Sequence, residues 1–359
     1  MRRMTACLLL VCACGQAPER APAAEVTPEP LPAEEAAPVA EEPAEAPAAA
    51  EPAEPALPPL AFPEELRFPP GDFTHAEILD AIGRTPSRQF KPVGTTSVVF
   101  RMRLRSEHTA AFKPRSRQHR AGHLKEVAAY RLARMLALEN VPPATVRRVP
   151  LGRIRDRMHR RYDDEETWEE IRDWVLVEGS GQLPGAAIYW IPAMANLRLE
   201  RPEAMREWRP WLTLGEPIPE AKRALARDLS RMLAFDYLIA NWDRLSGGNM
   251  SGLEDGSRLL VRDHNVAFAA PLPEEVHARV LGRLRFAQRF SRAFIERVRR
   301  LDREALERAL RGTEGEEEVG EPLLGPAQIA GVLERRRVLL SYVGALIDEH
   351  GEEAVLAFE

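Results

Sequence analysis

The chain has 359 residues, of which 45% are hydrophobic and 29% charged, and its formal net charge at pH 7 is −5. The length allows one large domain or two ordinary ones. The acidity is concentrated in residues 17–62, which carry −9, whereas residues 1–16 carry +2 and residues 63–359 also carry +2. The near-neutral folded part argues against a basic nucleic-acid-binding protein, so no nucleic-acid partner is expected. No apolar run reaches the roughly 20 residues of a bilayer-spanning helix, which excludes a polytopic membrane protein.

Residues 1–16 have the pattern of a secretory signal. Two Arg precede a short apolar stretch that ends at Cys14, and a charged start, a short apolar core and small residues before a break are typical of such signals. The residues Val11-Cys12-Ala13-Cys14 resemble the lipobox of bacterial lipoproteins. That resemblance implies acylation of Cys14 and attachment to a membrane through lipid chains, without a spanning helix. Secretion after another cut and a short buried helix are the alternatives.

Residues 17–62 are predicted to be a disordered tether. Of these 46 residues, 38 are Ala, Pro or Glu. Pro blocks helix and sheet, Glu repels Glu, and few large apolar side chains are available for burial, so we expect an extended, solvated segment. The 3 Cys all lie in the first fourteen residues. The folded part therefore has no disulfide partner, no zinc–cysteine site and no cysteine nucleophile.

Residues 63–192 are predicted to be a β-rich lobe. Thr74 is placed to cap a helix over residues 74–82, with Glu77 three residues later as in a capping box. Apolar residues at helical spacing predict a second helix over residues 124–138, which the Pro residues that follow bring to an end. Alternation and β-branched residues predict five strands. The strands are expected at residues 97–104, 109–113, 146–149, 174–177 and 186–191, the first two as a hairpin and the last two around a Gly-rich turn.

Residues 193–359 are predicted to be a helical lobe. Apolar periodicity indicates four helices and one short strand, over residues 258–261, that leads into Asp263. The helices are expected at residues 220–239, 275–301, 302–311 and 327–349. A β-rich lobe followed by a helical lobe is typical of a two-lobed α+β enzyme with a cleft between the lobes.

A Lys and a Glu in the first lobe have the pattern of a nucleotide site. Lys113 ends an apolar strand and Glu126 opens the next helix, so the two side chains can form an ion pair across a cleft. Phosphoryl-transfer sites of the kinase type use such a Lys to hold nucleotide phosphates and such a Glu to orient it. Alone, a Lys beside a strand end is also compatible with a solvated surface residue.

Two further clusters follow at the ends of apolar elements in the second lobe. Asp243 and Asn249 lie on a loop after a buried helix, which suits a base that accepts a hydroxyl proton and an amide that binds Mg²⁺. Asp263 follows an apolar strand and can bind a metal that bridges phosphates. A helix-terminating turn and a strand-end turn are the simpler readings of each cluster alone. Taken together, the Lys, Glu and Asp residues occur in the order that a kinase-type site requires.

Several stretches resemble the four-jointed family of secretory-pathway kinases and their relatives, the secreted casein-type kinases. The resemblance spans about residues 88–350 and is most specific around Asp243. Its stretches are Phe235-Asp236-Tyr237-Leu238, Asn241-Trp242-Asp243-Arg244-Leu245 and Asp263-His264-Asn265, with Glu126-Val127-Ala128-Ala129-Tyr130-Arg131-Leu132 and Asn140-Val141-Pro142-Pro143 looking like the helix and Val-Pro-Pro after the nucleotide-binding Lys. The persistence-toxin kinase HipA and the phosphoinositide kinases are similar more distantly.

The resemblance implies a two-lobed protein-kinase-like fold and a role for each residue of the site. Lys113 binds phosphate, Glu126 positions Lys113, Asp243 is the catalytic acid and Asp263 is the metal ligand. The loop over the phosphates is Gly94, Thr95, Thr96 and Ser97. The implied cofactors are ATP and Mg²⁺ or Mn²⁺.

Two departures from the family pattern stand out. Five residues separate Asp243 from Asn249, one more than in the catalytic loop of protein kinases, which weakens the assignment of Asn249 as a metal ligand. The animal secretory kinases are braced by disulfides, whereas this domain has no Cys. Its lobes have to be held together by packing alone.

The function that follows is that of an ATP-dependent kinase of the four-jointed type. It would be lipid-anchored at the bacterial cell envelope, at the outer membrane or cell surface rather than in the cytoplasm. The acceptor would be a Ser/Thr hydroxyl of a protein or a hydroxyl of a glycan, and the lipid anchor would make the membrane a further partner. A catalytically silent kinase-like scaffold is the alternative, since ATP is scarce outside the cytoplasm. A lipoprotein with coincidental motifs is a third reading.

Overall fold

The structure is a computed structural model that describes residues 59–63, 65–94, 97–311 and 321–359. The predicted signal with Cys14, the predicted tether up to residue 58, and Thr95 and Thr96 lie outside the described residues. In the part of the chain that is described, no helix combines the length and the apolar character that a membrane span requires.

An antiparallel sheet of five strands dominates the amino-terminal part, with the strand order β1-β2-β3-β5-β4. Side chains alternate along β2, so that Phe100 and Met102 enter the core while Arg101 stays exposed. The predicted hairpin of residues 97–104 and 109–113 is confirmed as the β2–β3 pair. The strands are β1 (Ser87–Pro92), β2 (Phe100–Leu104), β3 (Thr109–Pro114), β4 (Ala144–Pro150) and β5 (Gln182–Tyr189).

Four helices accompany this sheet. The predicted capping box is present, because Thr74 accepts a hydrogen bond from the backbone of Glu77 and the Glu77 carboxylate bonds back to the Thr74 backbone. The second helix packs between β4 and β5 on one side and a carboxyl-terminal helix on the other, which explains why almost all of its residues are buried. The helices are α1 (His75–Arg84), α2 (Gly122–Met135), α3 (Leu151–Asp156) and α4 (Glu165–Trp174).

The carboxyl-terminal part is helical around one buried helix, α6, with a small sheet beside it. α6 contacts several of its neighbours and ends at Ala240, whose φ of 54° is left-handed. The helices are α5 (Pro202–Trp208), α6 (Arg223–Ile239), α7 (Glu274–Leu284), α8 (Arg292–Arg299), α9 (Arg303–Arg311), α10 (Pro326–His350) and α11 (Glu352–Val355). The strands are β6 (Met194–Asn196), β7 (Ser251–Leu253) and β8 (Leu259–Leu260), in the order β6-β7-β8.

Two predicted elements are wrong. The single helix expected over residues 275–301 is two helices, α7 and α8. Between them Phe290 pairs its backbone with Val355 and Phe358 of the carboxyl-terminal segment, and the Ser291 side chain caps the start of α8, so the chain cannot continue as one helix. The strand expected over residues 174–177 is also absent, because Trp174 completes α4, and beyond α4 Val175 makes only an isolated bridge to Ser116.

The predicted end of the tether lies too late in the sequence. Leu60 is 2% exposed and belongs to the hydrophobic core. The guanidinium carbon of Arg134 lies 4.9 Å from the centroid of the Phe62 ring. The Ala61 carbonyl accepts a hydrogen bond from Arg297. These residues are apolar enough to be buried, so the packed part begins at least four residues before the predicted boundary.

We expect a chain that starts at residue 59 to melt at the same temperature as the full chain, because residues 17–58 offer few large apolar side chains for burial. A chain that starts at residue 63 lacks Leu60 and Phe62. Burial of one such side chain contributes about 1.5–3 kcal/mol, so its melting temperature should fall by several degrees. Thermal melts of the three chains measure this. Identical melts of the two truncated chains would show that Leu60 adds nothing to stability.

A buried charge cluster fastens the segment after α2 to the helical part. The Glu139 carboxylate lies 2.5 Å from Arg231 on α6 and 2.7 Å from Arg258 beside β8. Arg258 also pairs with Asp228 at 2.7 Å. Burial raises the pKa of Glu139, but the two Arg charges outweigh burial and lower the pKa to about 2.

A Glu whose pKa is lowered by folding stabilises the folded state at pH values above 4.5, its pKa in the unfolded chain. This contribution disappears as the pH falls towards 2. We therefore expect Glu139→Gln to cost about 3 kcal/mol near pH 7. The difference from the parent should shrink steadily between pH 5 and about pH 2.5. Urea unfolding of both proteins across this range measures the difference. A difference as large at pH 3 as at pH 7 would disprove the electrostatic origin.

Candidate functional site

Lys113, Glu126 and Asp263 meet in one charge cluster. The Lys113 ammonium lies 2.5 Å from Oε1 of Glu126 and 2.8 Å from Oδ1 of Asp263. Lys113 comes from β3, Glu126 from the first turn and a half of α2, and Asp263 from the segment after β8. The predicted pair of Lys113 and Glu126 is thus within salt-bridge distance. We name these three residues the Lys113 cluster.

The charges of the cluster fix its protonation. Burial lowers the pKa of Lys113, but Glu126 and Asp263 outweigh burial and raise the pKa above its usual value. Burial raises the pKa of Glu126, but Lys113 and the contact with His264 lower it well below the usual range. Glu126 also accepts a hydrogen bond from the backbone N–H of His264 at 3.1 Å. Lys113 therefore stays a cation and Glu126 an anion near neutral pH.

Asp263 is held in an unusual backbone conformation. Its φ is 69°, in the left-handed region that few residues other than Gly occupy, although Asp tolerates this region better than most. The Asn241 side chain donates to the Asp263 carbonyl at 3.3 Å, and Arg244 donates to the carbonyl of Arg262. These two hydrogen bonds fix the backbone carbonyl before Asp263 and the carbonyl of Asp263 itself. The fixed backbone directs the Asp263 carboxylate towards Lys113.

Arg244 anchors the loop after α6, although no role was predicted for this residue. Arg244 is 2% exposed, and it forms two hydrogen bonds to the Asp236 carboxylate, at 2.8 and 3.0 Å. It also donates to the backbone carbonyls of Arg262 and Asn249. One guanidinium group therefore links the end of α6, the loop with Asp243 and the segment with Asp263. The recognised stretch contains both Asp236 and Arg244, but nothing in the pattern indicates that they pair.

Asp243 and Asn249 form a separate pair on that loop. The Asn249 side chain donates to the Asp243 carboxylate at 3.2 Å and to the Asp243 carbonyl at 3.0 Å. The Ser246 hydroxyl donates to the other carboxylate oxygen. None of the described hydrogen bonds or ion pairs joins Asp243 directly to the Lys113 cluster. The connection runs through Arg244, which holds both segments.

The described ends of the predicted phosphate loop, Gly94 and Ser97, lie between β1 and β2. Next to them the Val93 backbone N–H donates to the Val99 carbonyl. A Cβ atom on Gly94 would lie 1.8 Å from the carbonyl oxygen of Ser97, so only Gly fits at this position. Among the described residues, no hydrogen bond connects Gly94 or Ser97 to the Lys113 cluster, and a role in phosphate binding stays a prediction.

A cavity of about 140 Å³ adjoins the Lys113 cluster. Its walls are mostly apolar and come from β3, from β5 and the residues that follow it, and from the segment with Asp263. Of the residues in these walls, only Lys113 and Asp263 were predicted to belong to a site. The lining residues are Ala111, Lys113, Pro142, Ile188, Tyr189, Trp190, Ile191, Met194, Arg262 and Asp263. Apolar walls together with Lys113, Arg262 and Asp263 suit a ligand that combines a largely apolar ring with a charged group.

The Asp263 carboxylate, which lines the cavity, is of the kind that a hard divalent cation prefers. Both side-chain hydrogen bonds of Asn249 use its nitrogen and go to Asp243, so the role of Asn249 as a metal ligand stays a prediction. Within the described ranges, no group of three or more His, Cys, Asp or Glu could hold a metal by itself. Mg²⁺ needs no such cage, since it commonly binds one or two protein carboxylates together with substrate phosphates.

The comparisons with known proteins point to one fold. No protein-family model matches the chain, and no curated protein matches it. Among solved structures, the Golgi casein kinase with Mn/ADP bound superposes with a TM-score of 0.55 at 15% identity, over 79% of this chain and 78% of that one. The structure of hydra Fam20 with sugar gives a TM-score of 0.53 at 16% identity, over 78% and 91%. A Helicobacter pylori proinflammatory kinase, CtkA, gives 0.41 at 10% identity, over 76% and 99%.

The first two likenesses show the fold. The chain has a kinase-like fold, with an antiparallel sheet in its amino-terminal part and helices in its carboxyl-terminal part.

Removal of the Asp236 carboxylate tests the anchoring of the loop. In Asp236→Ala the Arg244 charge stays buried without its partner, and loss of one partner of a buried ion pair costs about 3–5 kcal/mol. Glu334→Ala is the matched control, because it breaks the exposed pair with Arg337 on α10 and should change stability little. Urea unfolding measures both variants. Equal stability of the two variants would mean that Arg244 does not depend on Asp236.

Proposed function

We propose that the protein is an ATP-dependent kinase of the four-jointed type. The observation that carries this proposal is the position of Lys113, whose ammonium group is held between Glu126 and Asp263 beside an apolar cavity. A permanently charged Lys at that place suits nucleotide phosphates, and a cavity of that lining suits a purine ring.

Each residue of the site has a defined task in such a reaction. Lys113 stays protonated and binds phosphate oxygens, while Glu126 holds it in place. Asp263, with Asn249, would hold Mg²⁺ or Mn²⁺, which supplies positive charge against the phosphates when bound. Asp243 orients the acceptor hydroxyl and accepts its proton. Catalysis then consists of positioning and charge neutralisation.

The acceptor is proposed to be a Ser/Thr hydroxyl of a protein or a sugar hydroxyl. Two structures of similar fold support these classes: one protein is named a casein kinase and was solved with Mn/ADP, and the other was solved with sugar. The proposed site of action is the bacterial envelope, and it rests on the pattern of residues 1–16 and the resemblance around Cys14.

One observation favours a catalytically silent scaffold as the second candidate. Both carboxylate oxygens of Asp243 already accept hydrogen bonds, from Asn249 and from Ser246. A carboxylate whose two oxygens are both engaged has to release one donor before it can accept a hydrogen bond from the hydroxyl of the substrate. The additional residue between Asp243 and Asn249 also favours the scaffold, because it departs from the spacing of the catalytic loop of protein kinases.

Two carboxylate variants separate the two candidates. Asp263→Asn keeps size but removes a metal ligand, so we expect the affinity for ATP in the presence of Mg²⁺ or Mn²⁺ to fall at least about tenfold. Asp243→Asn should bind metal and ATP like the parent but lose phosphate transfer, because the acceptor hydroxyl has no proton acceptor. Calorimetry measures binding, and radiolabel transfer to casein and to a glycan measures activity.

Unfolding of Asp263→Asn would show that Asp263 is structural. If both variants bind metal and ATP like the parent, and the parent transfers no phosphate to any acceptor, the scaffold is the better description. Loss of activity in Asp243→Asn with unchanged binding would establish the kinase.

A further inference from the structure

The cleft face of the amino-terminal sheet carries a cation that the proposed mechanism leaves unused. Arg101 on β2 lies directly opposite Ala111 on β3, and opposed residues of an antiparallel pair point to the same face of the sheet. Ala111 lines the cavity beside the Lys113 cluster. The Arg101 side chain therefore leaves the sheet on the same face as Ala111, next to a residue that lines the cavity.

The guanidinium group of Arg101 is held on the aromatic ring of Trp190. Its central carbon lies 5.0 Å from the ring centroid, a distance typical of a cation–π contact. Trp190 also lines the cavity, and its backbone N–H donates to the carbonyl of Thr109, the first residue of β3. To reach Trp190, the Arg101 side chain has to cross β3 on the cleft face, where the small side chain of Ala111 leaves room.

The charges around Arg101 leave this guanidinium available. Lys91 on β1 lies opposite Arg101 on the other side, and like charges at opposed positions repel each other. Among the ion pairs of the described residues, none involves Arg101 or Lys91. The contact with Trp190 thus holds the planar Arg101 cation on a residue that lines the cavity.

We propose that Arg101 is a nucleobase-binding residue. One face of its guanidinium group rests on Trp190, and the group covers a purine ring that enters the cavity. Guanidinium groups stack well on aromatic rings because both are planar and the ring face is negative, and stacking of nucleobases on Arg is a recurrent mode of recognition. The inference rests on the proposed function, since it assigns a residue to the base of the same nucleotide.

Binding of three probes to the full chain tests the role of Arg101. Adenosine carries only the base and sugar, tripolyphosphate with Mg²⁺ carries only the phosphates, and ATP with Mg²⁺ carries both. In Arg101→Ala we expect the affinities for adenosine and for ATP to fall about tenfold, with unchanged affinity for tripolyphosphate. Arg103→Ala is the matched control, because Arg103 lies on the same strand and face and is exposed. It should bind all three probes like the parent.

Each other outcome overturns the inference in a recognisable way. A selective loss of tripolyphosphate would place Arg101 on the phosphates, and tighter adenosine binding by Arg101→Ala would show that the guanidinium blocks the cavity. If the parent binds adenosine and ATP and Arg101→Ala binds them equally well, only the role of Arg101 is wrong. If the parent binds none of the probes, the proposed function fails and the inference with it. Arg101→Lys, which keeps the charge but not the planar group, replaces Arg101→Ala if that variant does not fold, and should show the same loss.

Discussion

The ammonium group of Lys113 joins three segments that are distant in the chain. It contacts Glu126, thirteen residues away on α2, and Asp263, which is 150 residues away after β8. A charge with this little exposure to water is tolerated only when it is paired and hydrogen-bonded. The positions of the sheet, of α2 and of the Asp263 segment are therefore mutually dependent. A shift of any one of them would leave a charge buried without its partner.

Several further connections between the two parts of the chain rely on Arg side chains. Arg131 on α2 donates to the carbonyl of Leu310 at 2.6 Å, and Arg297 on α8 donates to the carbonyl of Met135 at 2.8 Å. Within the helical part, Arg335 on α10 donates to the carbonyl of Leu238 at 2.8 Å. Carbonyls at helix ends lack intrahelical partners, and a long cationic side chain can satisfy them from a neighbouring element. These contacts hold the elements together in a domain that has no Cys from which to form disulfides.

Local patterns sufficed for much of the secondary structure and for the ion pair of Lys113 with Glu126. The cap at Thr74, the hairpin before Lys113 and the pairing of Lys113 with Glu126 all follow from short-range signals. The break between α7 and α8 was not predictable, because it depends on backbone pairing of Phe290 with residues more than sixty positions later. The partnership of Arg244 and Asp236, and the contribution of Trp190 to the cavity, likewise depend on tertiary contacts that no local periodicity reveals.

The Lys113 cluster contains two carboxylates and one ammonium group, so its negative charges exceed its positive charge by one. In the proposed function, free nucleotide, which is itself an anion, would be repelled by the Asp263 carboxylate unless a cation shares that carboxylate. Cation binding at Asp263 would also free the Lys113 ammonium group to turn towards phosphate. The affinity for either component would then rise by the same factor when the other is present, so that occupancy of the site would depend on both concentrations.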